Sequence, residues 1–113
     1  MAKLLVQKFG GTSVADAGRI EVVADIIAKT ISEGHKVVVV LSAMGEETDR
    51  LIDLAKSIQT EPNLREYDAL VSTGEQISVA LMAMVLGKRN LKAKSYTAYQ
   101  PVSYTHLTLP TKA

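Results

Sequence analysis

The sequence has no cysteine and no tryptophan, and it has few aromatic residues of any kind. Four tyrosines and one phenylalanine occur among its 113 residues. Without cysteine, a disulfide scaffold and any cysteine-ligated zinc or iron–sulfur site are excluded. The same absence fits a reducing compartment, and we expect a cytoplasmic protein. With so few aromatic rings, a surface that stacks nucleic-acid bases is not expected either.

An excess of charge of either sign is also missing, and so is a long apolar run. Thirteen basic residues are set against twelve acidic ones, for a formal net charge of +1. Nucleic-acid binding needs a basic surface that displaces counterions from phosphates, so we expect no nucleic-acid partner. No apolar stretch approaches the roughly 20 residues of a membrane span, and Gln7 interrupts the apolar run near the N-terminus. We therefore expect no membrane partner and no signal peptide.

What the sequence does contain is the pattern of two strands joined by a helix. Residues 3–8 form a short, mostly apolar segment that ends near a pair of glycines, and residues 37–41 read Val-Val-Val-Val-Leu. The second run is continuous rather than alternating, which is typical of a strand covered on both faces in a parallel sheet. Because one helix connects the two segments, we predict adjacent parallel strands in an α/β fold.

The connecting helix is predicted from apolar residues that recur three and four positions apart between the two strands. Ser13 followed by Asp16 resembles a capping box, and Gly34 suits the left-handed position just after a helix. These signals predict a helix over about residues 13–33.

Apolar spacing predicts more helix beyond the second strand. One stripe covers residues 51–58, and a longer helical region covers residues 64–86. Gly74 interrupts the longer pattern, because glycine is unfavourable inside a helix, and we predict two helices that meet at a tight joint at residues 72–75. Residues 93–97 are predicted to begin a third strand.

The C-terminal segment, residues 101–113, lacks both helical and strand periodicity. Residues 102–111 read Val-Ser-Tyr-Thr-His-Leu-Thr-Leu-Pro-Thr, which back-translates to a widely used transposase sequencing adapter in frame. We therefore interpret residues 101–113 as an artefactual tail that belongs to no domain and exclude it from functional reasoning. Residues 1–100 are interpreted as part of a longer protein.

A glycine-containing turn, Lys-Phe-Gly-Gly-Thr-Ser at residues 8–13, lies where the first strand passes to the helix. Glycines allow the backbone to approach a ligand closely, and N–H groups at a helix start carry a partial positive charge. Such a turn suits a phosphate, to which Lys8 would add a full positive charge. The turn matches neither of the two common glycine-rich nucleotide loops, so a plain strand-to-helix turn remains the alternative.

Three segments taken together are more specific. Residues 8–13, Ser-Ala-Met-Gly at residues 42–45 and Ser-Thr-Gly-Glu at residues 72–75 resemble, in order and spacing, three motifs of the aspartokinases in the amino-acid kinase family. The resemblance covers residues 1–100. It implies a three-layer α/β/α amino-acid kinase fold with a mainly parallel sheet, truncated after about the third strand. Residues 1–100 would form the N-terminal part of that catalytic domain.

An aspartokinase transfers the γ-phosphoryl group of ATP to the β-carboxylate of L-aspartate and makes aspartyl phosphate, the first step towards lysine, threonine and methionine. The resemblance therefore implies ATP as cofactor, L-aspartate as substrate and a homo-oligomer in the complete protein. No acidic cluster in residues 1–100 suggests a metal site, so Mg²⁺ would arrive bound through ATP. In the family the adenine pocket lies beyond the equivalent of Gln100, so we expect residues 1–113 alone to be inactive.

The resemblance also implies roles for individual residues. Lys8 corresponds to the catalytic lysine, which neutralises charge on the transferred group. Thr48 and Glu75 correspond to positions that bind the amino acid, with Glu75 pairing with its α-ammonium group. The positions that correspond to nucleotide contacts are Lys8, Phe9, Gly10, Gly11 and Ser42. We expect the nucleotide and amino-acid positions to converge at the C-terminal ends of the strands, where open α/β sheets bind ligands.

Each of these residues also has an ordinary structural interpretation. Lys8 would be a solvated lysine at a strand end, and Ser42 would cap a helix. Thr48 would be the N-cap of a helix that starts at Asp49, and Glu75 an exposed glutamate in a first helical turn. His35 is interpreted only as a solvated turn residue.

Three other functions remain open at this point. The protein could be another amino-acid kinase of the same fold, a non-catalytic paralogue that binds a small molecule, or the kinase portion of a bifunctional protein with a homoserine dehydrogenase. Retention of both Lys8 and Glu75 argues against the non-catalytic paralogue, because a binding protein would not require both.

Overall fold

The computed structural model describes residues 2–96 as two strands and three helices joined by short loops. A short 3₁₀ helix, Gly11–Val14, follows the first strand. The elements, in chain order, are β1 (Leu4–Phe9), α1 (Ala17–Ser32), β2 (Lys36–Leu41), α2 (Glu47–Ile58) and α3 (Leu64–Lys88).

The predicted strand pair is confirmed. The two strands are parallel and adjacent, and their register runs from Leu4 opposite Lys36 to Phe9 opposite Leu41. The Ser42 N–H extends the ladder by donating to the Phe9 carbonyl at 3.1 Å. Because the strands are parallel, the loops that follow them leave from the same edge of the sheet.

The sheet has one covered face among the described residues. Side chains alternate across a strand, and Gln7, whose amide donates to the Thr30 hydroxyl at 2.9 Å, shows which face lies against α1. On the opposite face Val38 is 36% exposed and Val40 is 44% exposed. Residues 2–96 thus form the sheet and a helical layer on one of its faces. The run of valines predicts that the second face is covered as well, but none of the described residues covers it.

The connecting helix begins later than predicted, and the predicted capping box is wrong. The Asp16 side chain is itself the N-cap, because its Oδ1 accepts from the Arg19 N–H at 2.8 Å. Ser13 instead lies in the 3₁₀ helix. The end of the helix is as predicted, because Gly34 has φ +93° and donates its N–H to the Ile31 carbonyl at 2.9 Å.

α3 is one continuous helix, so the predicted joint at residues 72–75 is wrong. Gly74 costs the helix about 1 kcal/mol relative to alanine, but it is needed for packing rather than for a break. A Cβ built on Gly74 would lie 2.8 Å from the Cβ of Ala43, in the loop after β2. The glycine therefore allows the helix to run close to that loop.

The core lies between the sheet and the pair α1 and α3. Ser78 is the one polar residue buried with it among the described residues, and its hydroxyl donates to the Gly74 carbonyl at 3.5 Å. α2 packs on α3, and its buried residues are Leu51 and Ala55. The buried apolar core residues are Val14, Ile20, Val23, Ala24, Ile27, Leu41, Met82 and Leu86.

α3 is also long and apolar enough, by length and composition, to cross a membrane. The same test is passed by core helices of globular proteins. Here Ser78, Met82 and Leu86 of this helix are buried against the rest of the chain, and Glu75 stands in its middle. A single helix of this kind, with 22% of its apolar window buried, is weak evidence for a membrane span.

The third strand is not formed in the part of residues 93–97 that the structure describes. Residues 93–96 have no regular secondary structure, so the expected strand start is wrong for them. Thr97 and the tail at residues 101–113 lie outside the described residues.

An ionic cluster joins the C-terminal end of α3 to α1. The Arg89 Nη2 donates to the Glu21 carbonyl at 3.1 Å and to Glu21 Oε1 at 2.7 Å, and its Nη1 pairs with Asp25. Lys88 Nζ lies 2.6 Å from Glu21 Oε2. The hydrogen bonds from Lys88 and Arg89 lower the pKa of Glu21 below its ordinary value. The cluster therefore stabilises the charged carboxylate in the folded state.

We expect Arg89→Gln to lower the midpoint of urea unfolding at pH 7, because it removes the donor shared by Glu21 and Asp25. Since the folded pKa of Glu21 is lowered, its contribution is present above about pH 4.5 and is lost as the pH falls from there through the folded pKa. The difference between the variant and the parent should shrink over that range. Far-ultraviolet circular dichroism measures the midpoints.

Arg65→Gln is the matched control, because Arg65 is an exposed arginine in the first turn of the same helix. A pH-independent difference for Arg89→Gln, or an equal loss with Arg65→Gln, would contradict the assignment of this stability to the cluster.

Candidate functional site

The loops after the two strands meet at the carboxyl edge of the sheet. The Gly45 N–H donates to the Gly11 carbonyl at 3.0 Å, which ties one loop to the other. Within the first loop, the Ser13 N–H donates to the Gly10 carbonyl at 3.1 Å. This edge of an open α/β sheet is where ligands usually bind.

The two adjacent glycines of the first loop have different surroundings. A Cβ on Gly11 would lie 2.9 Å from the Gly45 carbonyl oxygen and 3.0 Å from that of Ala43, so a side chain there would push the loops apart. A Cβ on Gly10 would meet nothing within 4 Å, and its backbone is extended with φ −81°. Gly11 therefore serves the packing of the loops, while Gly10 faces open space.

Arg19 supports the first loop from α1, a role that the sequence analysis missed. Its Nη1 donates to the Thr12 carbonyl at 2.9 Å, and its Nε lies 4.0 Å from Asp16 Oδ2. The available signal was the spacing of Asp16 and Arg19, which places an N-cap and a basic side chain on one turn. The Arg19 guanidinium group therefore lies beside the glycine loop, together with the Asp16 carboxylate.

The third motif reaches the same place through α3. Gly74 lies against Ala43, and its other near neighbours are Glu47 Cγ and Leu51 Cδ1, each 3.5 Å from a built Cβ. Glu75, the next residue, is exposed in the middle of a long helix. Its interpretation as a first-turn glutamate is therefore wrong, because the helix begins at Leu64.

A shallow pocket lies between α3 and the start of α2. Its volume is about 110 Å³, and its lining residues are Met44, Glu47, Gly74 and Ile77. A hydrogen bond from Arg50 lowers the pKa of the Glu47 carboxyl, so Glu47 brings a negative charge to the pocket. The sequence analysis did not single out Glu47 or Arg50, although their spacing of three residues in a helix permits an ion pair.

The residues predicted to contact the nucleotide differ in their exposure and in their surroundings. Lys8 is exposed at the end of β1, opposite Val40, and strand alternation directs it away from α1. Phe9 is half-buried and packs against the core, so its side chain has a structural role. Ser42 is half-buried, and it caps no helix, because α2 has Glu46 as its N-cap residue.

The predicted substrate-contact residues lie beside the pocket. Thr48 is half-buried in the first turn of α2, and the interpretation of Thr48 as an N-cap is wrong because the helix already starts at Glu47. Glu75 follows the pocket residue Gly74. Lys8 therefore lies on the sheet, whereas Glu75 lies on α3. The approach of their charged groups to one another stays a prediction.

Comparison with known proteins connects this geometry to a family. The sequence profile described as the amino acid kinase family matches residues 3–105. The chain belongs to the amino acid kinase family. The match includes both loops at the carboxyl edge of the sheet and the helices α2 and α3 beside them.

The most similar curated relatives include several aspartate kinases. An aspartate kinase of Pseudomonas fluorescens is 58% identical over 99 residues, and one of Stutzerimonas stutzeri is 57% identical over 97 residues. An aspartokinase of Geobacillus stearothermophilus is 52% identical over 97 residues. Each alignment covers 86% of this chain and 24% of the relative. The chain therefore spans about a quarter of the length of these relatives.

Solved structures agree with the assignment of the fold. An aspartate kinase from Synechocystis is 50% identical, with a TM-score of 0.80 over 82% of this chain and 16% of that one. The E. coli aspartokinase III in complex with aspartate and ADP is 27% identical, with a TM-score of 0.66 over 82% of this chain and 31% of that one. The expected amino-acid kinase fold is thereby confirmed.

We expect the two neighbouring glycines to respond differently to alanine. Gly11→Ala should destabilise the chain by about 1–3 kcal/mol, because its methyl group meets two backbone oxygens that cannot rotate away. Gly10→Ala should leave stability within about 1 kcal/mol of the parent, because its conformation and surroundings accept a methyl group. Urea unfolding of both variants measures the difference. Equal destabilisation by both would contradict the loop geometry.

Proposed function

We propose that this chain provides the N-terminal part of an aspartate kinase, which transfers the γ-phosphoryl group of ATP to the β-carboxylate of L-aspartate. The observation that carries the proposal is the meeting of the three motif segments around Ala43, which Gly11 and Gly74 both approach closely. The identity of more than half of the aligned residues with aspartate kinases supports the choice among amino-acid kinases.

The phosphates of ATP would bind at the first loop. Gly10 offers backbone without a side chain, next to open space, and Lys8 supplies an exposed ammonium group at the end of β1. Phosphoryl transfer needs positioning and neutralisation of charge more than it needs covalent help from the protein. The structure supports Lys8 as the group that compensates charge on the transferred phosphoryl.

Aspartate would bind beside the pocket between α2 and α3. The Glu75 carboxylate would pair with the α-ammonium group, and Thr48 would donate its hydroxyl to a carboxylate oxygen. The β-carboxylate is ionised at neutral pH, so one of its oxygens attacks the γ-phosphorus without loss of a proton. The bond from that phosphorus to the β–γ bridging oxygen breaks, and ADP leaves with the electron pair.

Mg²⁺ would enter with the nucleotide and add positive charge between the phosphate oxygens. Within residues 2–96 no group of three or more His, Cys, Asp or Glu side chains is placed to hold a metal ion. The cytoplasmic location and the homo-oligomeric state of the complete protein belong to this proposal.

Lys8→Ala in the full-length protein should lower kcat by about 10² to 10³ and change the KM for aspartate much less, because the lysine acts mainly on the transition state. Coupled measurement of ADP release with aspartate and MgATP gives both constants. Lys36→Ala is the matched control, because Lys36 is exposed at the opposite end of the same sheet. A near-normal kcat for Lys8→Ala would remove the catalytic role.

Glu75→Gln in the full-length protein should raise the KM for aspartate roughly 10- to 100-fold, because it removes a charged partner of the substrate's ammonium group. The KM for ATP should change little. Glu66→Gln, an exposed glutamate in the first turn of α3, is the control. Testing glutamate as acceptor in the parent distinguishes another amino-acid kinase, and no acceptor-dependent ADP release at all would favour a non-catalytic binding protein.

A further inference from the structure

One small residue, Ala43, is contacted by both halves of the candidate site. It is 2% exposed and lies in the loop between β2 and α2. Gly11 of the first loop approaches its carbonyl oxygen, and Gly74 of α3 approaches its methyl group. Ala43 therefore lies between the first loop, which is proposed to bind phosphate, and the helix that carries Glu75.

A side chain at Gly74 would clash with Ala43 but not with its other near neighbours. A Cβ on Gly74 would lie 2.8 Å from the Ala43 Cβ, against 3.4 Å for ordinary contact, whereas its other neighbours would lie at 3.5 Å. A methyl group at Gly74 therefore requires a shift of about 0.2 Å from a single atom to leave the range below 3.0 Å that real Cβ atoms essentially never show, and of 0.6 Å to reach ordinary contact. That atom is itself a methyl carbon bonded directly to the backbone, so it cannot rotate out of the way.

We propose that the Ala43–Gly74 contact sets the distance between the phosphate loops and Glu75, and that both residues are positioning residues for the amino-acid substrate. This proposal rests on the proposed function. Glu75 is adjacent to Gly74 on a continuous helix, so its Cα moves with the glycine. A displacement of about 1 Å at a reacting site can cost roughly 10²-fold in rate.

The far end of α3 prevents the helix from simply sliding away. Lys88 and Arg89 hold that end against Glu21 and Asp25 of α1. A push at Gly74 therefore tilts the helix around its fixed end, and the tilt moves Glu75 away from the loops. The first loop is affected less, because Gly11 contacts the carbonyl oxygen of Ala43 and not its methyl group.

A methyl exchange across the contact tests the proposal in the full-length protein. Gly74→Ala should raise the KM for aspartate about 10-fold or more and the KM for ATP much less. The double variant Ala43→Gly, Gly74→Ala keeps one methyl group in the contact, so its KM for aspartate should return to within about threefold of the parent, with Ala43→Gly alone completing the double-mutant cycle.

Gly87→Ala is the matched control for helix propensity, because Gly87 belongs to α3 and a Cβ there would meet nothing within 4 Å. It should leave both KM values unchanged. An unchanged KM for aspartate in Gly74→Ala, or a double variant no better than Gly74→Ala, would overturn the proposal. If Gly74→Ala does not fold, the double variant must fold. A double variant that does not fold either would overturn the proposal.

The same measurements separate this inference from the proposed function. A full-length parent without aspartate-dependent ADP release defeats the proposed function itself. If the parent is active but the KM values of the variants do not change as the methyl exchange predicts, only the inference about the Ala43–Gly74 contact is refuted.

Discussion

A parallel pair of strands cannot be closed by a tight turn, so the chain must cross over the sheet and return to the same edge. β1, α1 and β2 satisfy this requirement in the shortest way, with one helix between two paired strands. The consequence is that both strands end at one edge and release their loops side by side. The hydrogen bond from Gly45 to Gly11, and with it the candidate site, depends on that pairing.

The second constraint is the room left between the loops and α3. Two glycines and one alanine occupy it, and neither glycine can gain a carbon atom without moving backbone or a short side chain. Interiors are packed as densely as organic crystals, so such a junction transmits displacement instead of absorbing it. The elements that carry the charged and hydroxyl side chains of the candidate site therefore meet at residues that have almost no side chain themselves.

The sequence was sufficient for the parts of the fold that depend on local pattern. Apolar periodicity and the run of valines predicted β1, α1 and β2, and Gly34 marked the end of α1. The start of α1 was misplaced because both Ser13 and Asp16 can cap a helix, and only the path of the loop decides between them. The continuity of α3 was not predictable, since Gly74 is explained by Ala43, a residue distant in sequence.

For the site, the motifs predicted which segments come together, but local sequence did not distinguish Gly10 from Gly11. That difference arises from carbonyl groups of the second loop. The support of the Thr12 carbonyl by Arg19 was missed for a similar reason, because a side chain that bonds to backbone leaves little trace in residue spacing. The same holds for Glu47 and Arg50 beside the pocket.

The ionic cluster between α1 and α3 makes the candidate site sensitive to ionic strength. Its side chains range from 26% to 70% exposed, so these ion pairs weaken as the salt concentration rises. α3 rises about 1.5 Å per residue, which places the cluster roughly 20 Å along the helix from Gly74. We therefore expect a change in salt concentration that loosens this distant anchor to alter the position of the helix that carries Glu75, without any ion entering the pocket.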